Sequence, residues 1–568
     1  MSIKKRFVAL WLIPILLFSA CGKFSIPTNA NTAFKNFTLC LFQEEVVSNT
    51  INLHYSLQDP EKYGITEIPL TLGSFDINPS SSLASIENLE AALKKFSYHS
   101  LSEENQLTYD ILSHYFSTQK DSISYYLYEE PLSTTTGIHA QLPVLLAEYQ
   151  FSKKSDVDTY LSLLETIPDY FSSLIRFEQQ KSASGLFMSN VVADAVIEQC
   201  HSFISMGETH YLLSTFEERL NTLEKLSSQE KIDYIQKNRE ALTKYVIPAY
   251  QTLASSIRNL KKETNTMLGL CQFSEGKEYY AHLAARETGS QRTISELKSL
   301  ISNQISADLG NIQNLLAENP TLIEETASIT ETPENILKTL EKKILSSFPK
   351  AASVNVNIKY VPDALQEHLS PAFYLIPAID HFKENTIYIN QIYSLDDVSL
   401  FTTLAHEGYP GHLYQTTYFA NTNPDPIRSS LNFIGYVEGW ATYAEMCSYY
   451  LSPLSKSYAT LLQKNNSLIL GLYASADIGI HYDAWTLEDT ISFFEQYGIS
   501  DAALIGEIYT QIISDPANYL TYYVGYLEFL ELKKEEMNQD GENFSQKEFH
   551  QRILEIGPAP FEIVKKYL

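Results

Sequence analysis

The sequence predicts a mainly α-helical globular protein carrying one small β-sheet. Three observations support that expectation. Apolar residues recur at helical spacing through most of the chain. Period-two alternation is confined to one region, around residues 354–390. Hydrophobic residues make up 44% of 568 and charged residues 19%, which suits a sizeable core.

Taken in order, the first element is a targeting segment. Lys4, Lys5 and Arg6 form a basic start, and Val8 to Phe18 is an apolar run too short to span a bilayer. Phe18-Ser19-Ala20-Cys21 then places small residues before a cysteine, as in a bacterial lipoprotein processing site, although Phe18 stands where Leu is more usual. Residues 1–20 are therefore expected to be a signal peptide and Cys21 the lipidated N-terminus. Gly22 to Thr32 reads as a tether rich in Ser, Asn and Thr. No later stretch is apolar enough to cross a bilayer, so a soluble body anchored outside the cytoplasm is expected.

Ser155-Asp156-Val157-Asp158 resembles a capping box, and Val157, Tyr160, Leu161 and Leu164 follow at helical spacing until Pro168, where an interruption is expected. Leu220 to Ile247 and Ile294 to Leu316 also read as amphipathic helices. Val354 to Tyr360 and Asn385 to Asn390 alternate as strands, and Ser394 to Ala405 reads as a helix running into His406. A strand beside such a helix can hold an extended peptide by main-chain pairing, and a plain structural hairpin fits the pattern equally.

A net charge of −27 argues against nucleic acid as a partner. Cys40, Cys200, Cys271 and Cys447 are far apart, form no Cys-x-x-Cys pair and make no zinc site of their own. Gly-x-Ser-x-Gly and Gly-x-x-x-x-Gly-Lys are absent, which gives little support to a serine esterase or a nucleotidase.

The chemistry-bearing stretch is His406-Glu407-Gly408-Tyr409-Pro410-Gly411-His412. Two imidazoles flank a carboxylate, as in zinc hydrolases, but they are six residues apart rather than four. On a straight helix that places them about 120° apart, unable to share one ion. Pro410 lacks the N–H that would bond to the His406 carbonyl, and two glycines relax the backbone beside it. A broken or widened turn is therefore expected, and the competing reading is a helix that stops, followed by a surface His412. Glu438 and Glu445, seven apart in Glu438-Gly439-Trp440-Ala441-Thr442-Tyr443-Ala444-Glu445, lie on one helix face. Two His and one Glu with an open position is a catalytic zinc arrangement, and a further carboxylate can orient a ligand His. His481, in Asp477-Ile478-Gly479-Ile480-His481, and the tyrosines from Tyr519 to Tyr526 are candidate oxyanion donors, against core packing as the plainer alternative.

Together, His-Glu-x-x-Pro-Gly-His, Glu-Gly-Trp-Ala-x-Tyr-Ala-Glu, Asp-x-Gly-x-His and Tyr-x-x-Gly-Tyr resemble a widespread bacterial family. That family is catalogued as a domain of unknown function and regarded as exported zinc metallopeptidases of the gluzincin type. Gln141 to Phe151, Gly276 to Tyr280 and Gly557-Pro558-Ala559-Pro560 resemble it as well, so the likeness covers nearly all the mature chain. The resemblance implies a large two-lobed helical fold with a central cleft. Its parts would be a tether over 21–34, an N-terminal lobe over 35–270 and a catalytic lobe over 271–568. It implies one Zn²⁺ held by His406, His412 and Glu438, and Glu407 as the catalytic carboxylate. Tyr522 or His481 would serve the oxyanion, Glu445 would support a ligand, and the substrate would be a peptide. A peptide-binding lipoprotein without turnover and an amidase acting on cell-wall material are the alternatives.

Overall fold

The computed structural model of the chain describes residues 29–261, 268–325, 329, 331–363, 366 and 369–568. The expected signal peptide, Cys21 and most of the tether lie outside the described residues. Helix Ala30–Val46 already begins within the expected tether, where the Asn29 side chain accepts the N–H groups of Asn31 and Thr32. Among the described residues, no helix is long and apolar enough to cross a membrane.

The chain is mainly helical, as expected, with a single three-stranded sheet among the described residues. Two hydrophobic cores form. One is built mostly from residues 132–257, including Leu163, Phe171, Tyr250 and Leu253, and also takes in Ile51, Leu72 and, beside the sheet, Phe373 and Tyr388. The larger joins Phe34, Phe42 and Leu112 from the N-terminal helices to residues of the C-terminal half such as Leu404, Trp440 and Tyr523. Residue 270 therefore does not separate the cores, because the first helices pack with the C-terminal half.

Two helix expectations need correction. Lys154–Ala183 is one helix of 30 residues that runs straight through Pro168. Its buried face, including Val157, Tyr160, Leu164, Ile167 and Phe171, outweighs the cost of about 3 kcal/mol that an interior proline carries. It starts earlier than expected, with the Asp156 carboxylate accepting the Lys153 N–H at 3.0 Å. The segment expected as one helix over 220–247 is instead split. Tyr211–Asn221 ends, and Ser228–Ala241 begins with Ser227 and Glu230 in a reciprocal cap. Ile294–Glu318 forms as expected, capped by Thr293.

Strand β1 (Asn355–Tyr360) and strand β3 (Glu384–Ile389) match the two alternating segments and pair in parallel. The strand β2 (Ala372–Leu375) was not expected. It pairs antiparallel with β3, giving the order β1-β3-β2 and leaving β2 at the edge. Ala372, Phe373 and Tyr374 are all buried, so β2 carries no alternation to read. Helix Asp397–Glu407 packs on β2 and starts at Asp396, whose Oδ1 accepts the Ser399 N–H at 2.7 Å.

Candidate metal centre

Helix Asp397–Glu407 delivers His406 and Glu407 at its last turn. The chain then passes through Gly408-Tyr409-Pro410-Gly411, with a cis Tyr409–Pro410 bond, and a second helix, His412–Asn421, begins. The Gly411 N–H donates to the Ala405 carbonyl at 2.9 Å, and the Tyr414 N–H to the Gly408 carbonyl at 3.1 Å. Each bond spans six residues, where a regular helix spans four. The two histidines thus sit across a widened break, as their spacing demanded. Glycine is required there by crowding. A Cβ on Gly411 would lie 1.8 Å from the His406 carbonyl oxygen, and one on Gly408 would lie 2.7 Å from the Leu404 carbonyl oxygen. The Trp440 Nε1–H donates to the Pro410 carbonyl at 2.8 Å and fastens this turn to helix Ile434–Ser448.

The His406 and His412 rings face each other nearly at right angles, with centroids 4.9 Å apart. Glu438 completes the group. Its Oε2 lies 3.7 Å from His406 Nε2 and 3.5 Å from His412 Nε2. Both distances exceed hydrogen-bond length, and this buried oxygen has no hydrogen-bond partner. Two ligands each about 2.1 Å from one tetrahedral ion stand roughly 3.4 Å apart, close to what is seen here. One ligand atom from each residue falls within 4.8 Å of the others. Burial disfavours the Glu438 carboxylate, but the imidazoles of His412 and His406 more than reverse this and hold its pKa well below the usual range. The donor set and its spacing fit Zn²⁺.

Glu445 lies two turns beyond Glu438 on the same helix face, and its Oε2 is 3.0 Å from His406 Nδ1. Its Oε1 accepts from the Asn466 amide at 3.2 Å. A neutral His406 that donates from Nδ1 to this carboxylate keeps its Nε2 lone pair for the cluster. Glu407 Oε2 accepts the Tyr374 N–H of β2 at 2.9 Å. His406, His412, Glu438, Glu407, Glu445 and Tyr522 all line one cavity of about 540 Å³, whose wall includes β2.

Tyr522 comes from helix Asn518–Asp540, and its ring centroid is 6.4 Å from that of His406. Its approach depends on two glycines. A Cβ on Gly439 would lie 2.5 Å from the Gly525 carbonyl carbon, and one on Gly525 would lie 2.2 Å from the Gly435 carbonyl oxygen. The glycines of the Glu-Gly-Trp and Tyr-x-x-Gly-Tyr motifs therefore let two helix backbones cross almost in contact.

His481 is not brought to this site, and the oxyanion role considered for it is withdrawn. Its Nδ1 accepts the Leu270 N–H at 3.1 Å, and its Nε2 donates to the Ile512 carbonyl at 2.9 Å. Its ring stacks on Tyr280 with a centroid separation of 5.4 Å, and it borders a different cavity. Asp477 of the same motif accepts from the Tyr280 hydroxyl at 2.7 Å and from the Ala517 N–H at 3.1 Å. Both residues are structural.

Gln415 and Arg428 also line the cavity, and the sequence reading does not single them out. Gln415 follows His412 by three residues, so helical spacing could have found it. Its buried Nε2 has no hydrogen-bond partner, and neither does Arg428 Nε. Nothing in the spacing around Arg428 marks it.

The fold is similar to that of a protein from Colwellia psychrerythraea assigned as a lipoprotein, with a TM-score of 0.80 and 19% identity over 95% of this chain and 98% of that one. It is also similar to a protein from Shewanella oneidensis assigned as a lipoprotein of unknown function, with a TM-score of 0.65 and 16% identity over 94% of this chain and 98% of that one. At such identities the likeness speaks for the fold alone. No curated protein matches the sequence. The family described as "Bacterial protein of unknown function (DUF885)" matches residues 76–568, most of the chain's length, and the chain belongs to that family.

Proposed function

We propose that the protein is a zinc-dependent hydrolase that cleaves peptides outside the cytoplasmic membrane. The observation that most supports this is the buried Glu438 oxygen facing two imidazole nitrogens without a hydrogen-bond donor. A buried carboxylate calls for a counter-charge, and a cation shared by all three groups supplies it while both imidazoles stay neutral. Zn²⁺ held by His406, His412 and Glu438 would supply Lewis-acid polarisation of a carbonyl and activation of water.

The chain's own residues supply the rest. Glu407 takes a proton from the attacking water and passes it to the leaving amine. The Tyr374 N–H fixes one of its carboxylate oxygens and leaves the other to move the proton. Glu445 holds the His406 ring in one tautomer and one orientation. Tyr522, on the cavity wall beside His406, donates its hydroxyl to the developing oxyanion. Residues 370–377, which contain the edge strand β2, line the cavity and offer main-chain groups to an extended peptide. Anchoring through a lipidated Cys21 completes the proposal, in keeping with the lipoprotein assignments of the two solved neighbours.

Metal analysis of protein purified without chelator tests the reading first, with about one zinc per chain expected. Hydrolysis of a peptide panel, with cell-wall amides alongside, tests it second. A metal-free protein favours peptide capture without turnover. A zinc-loaded protein that cleaves only the cell-wall amides reassigns the substrate.

A further inference from the structure

The cavity holds one arginine and no lysine among its described lining residues, and that arginine is buried without a matching acid. Arg428 is 4% exposed. One of its terminal amino groups donates to the Ile556 carbonyl at 2.5 Å, and its Nε has no hydrogen-bond partner. Among the described residues, no carboxylate forms an ion pair with it. The closest candidate in sequence, Asp425, is engaged elsewhere, accepting from the Thr38 hydroxyl at 2.6 Å and from the Ile427 N–H at 3.2 Å. Asp425 and Glu104 favour the Arg428 cation only from a distance, and burial prevails, drawing its pKa down to about 10. At neutral pH the guanidinium is therefore charged, desolvated and short of an anion.

Its position relates it to the metal centre. The guanidinium lies over the Phe419 ring, 5.4 Å from the centroid. Phe419 is seven residues beyond His412 on the same helix, so two turns, about 10 Å, separate them. Gln415, with its unpartnered amide, lies between the two on that helix and also lines the cavity. An extended peptide advances about 3.3 Å per residue, so a separation of this order is bridged by a few residues.

We propose that Arg428 receives the free C-terminal carboxylate of the substrate, so that the enzyme removes a short C-terminal fragment of a few residues. This rests on the peptidase reading above. A planar guanidinium matches a carboxylate in shape and charge, and burial strengthens the pair. Gln415 then serves the peptide main chain on the way. An amidated C-terminus would leave the arginine unpaired.

The test compares N-acetyl-Phe-Ala-Ala with its C-terminal amide, using the full zinc-loaded chain. Binding is measured on the Glu407→Gln protein and hydrolysis on the parent. The acid should bind on the order of thirtyfold more tightly than the amide, the loss expected when one partner of a buried charge pair is absent. Arg428→Met in the Glu407→Gln background should remove that preference, and Arg428→Lys should keep part of it. Circular dichroism and zinc content confirm that these variants fold. Because Arg428 also holds the Ile556 carbonyl, a variant that fails to fold leaves the acid-to-amide ratio on the unsubstituted Arg428 site as the deciding measurement. Equal binding of acid and amide overturns the proposal, as does cleavage of bonds far from the C-terminus. A preference for the acid without hydrolysis by the parent keeps the Arg428 assignment and removes the peptidase reading instead.

Discussion

Two buried histidine sites in this protein use the same residue types to opposite ends. At one, His481 has both ring nitrogens closed by backbone groups, and Asp477 beside it accepts from Tyr280 and Ala517. At the other, His406 and His412 turn Nε2 atoms toward a carboxylate oxygen that no donor reaches. Both pairs are built from His and an acid on helices under heavy burial. What separates them is completion. Where both ring nitrogens are closed by backbone groups, the histidine holds the fold together, and where two ring nitrogens converge on a carboxylate oxygen without a hydrogen-bond partner, the cluster is ready to hold something else.

The contrast can be broken most directly at Glu407. Glu407→Gln should lower kcat for peptide hydrolysis on the order of a thousandfold, while zinc content and Tm stay at parental values. Hydrolysis at the parental rate would remove the distinction between the two sites. Glu438→Gln takes the anion from the open cluster and should abolish stoichiometric zinc, read by metal analysis. Full zinc retention would mean that the three residues do not form one site. Glu445→Gln should weaken zinc affinity about 10–100-fold in chelator competition, because it disturbs the orientation of His406 rather than the ligand set. Gly525→Ala pushes a Cβ against the Gly435 carbonyl. It should lower stability by about 1–3 kcal/mol in denaturant melts and reduce kcat by displacing Tyr522.

The smallest effect on chemistry belongs to the closed site. His481→Gln should leave zinc content and kcat near parental values and cost about 1–3 kcal/mol of stability, since it strands the Leu270 N–H. The same residue shapes the acid limb of stability. Burial draws the His481 pKa down from 6.5 to about 4. Between those values the unfolded chain binds a proton that the folded chain refuses. This histidine therefore makes stability fall as pH drops from 6.5 toward 4, by about 1.4 kcal/mol per unit, and has no effect above that window. The His481→Gln protein should show a shallower loss over that range in pH-dependent melts.

The sequence made the helical class, the two alternating strands and the three candidate ligands legible, because each leaves a periodic or spaced signature. The widened turn was legible too, since six-residue spacing with Pro410 and two glycines allows few alternatives. What stayed hidden follows one pattern. Strand β2 is covered on both faces, so it shows no alternation. Pro168 reads as a break, yet tertiary packing carries the helix through it. His481 and Tyr522 looked alike as donors in a motif list, and only the neighbours of each ring nitrogen or hydroxyl tell them apart. Arg428 owes its interest to an absent partner, and absence of a contact has no sequence signature.

The bond from Trp440 to the Pro410 carbonyl has a consequence for the lifetime of the site. It ties the loop between the first two ligands to the helix that carries the third, using neutral protein groups alone. The three candidate ligands are thereby held in register by the surrounding architecture. If the proposed zinc binds here, such a socket would survive a passing loss of the ion with little conformational entropy to recover when it refills. If the protein works outside the cytoplasmic membrane as proposed, where metal supply varies, that is the difference between an interruption and an inactivation.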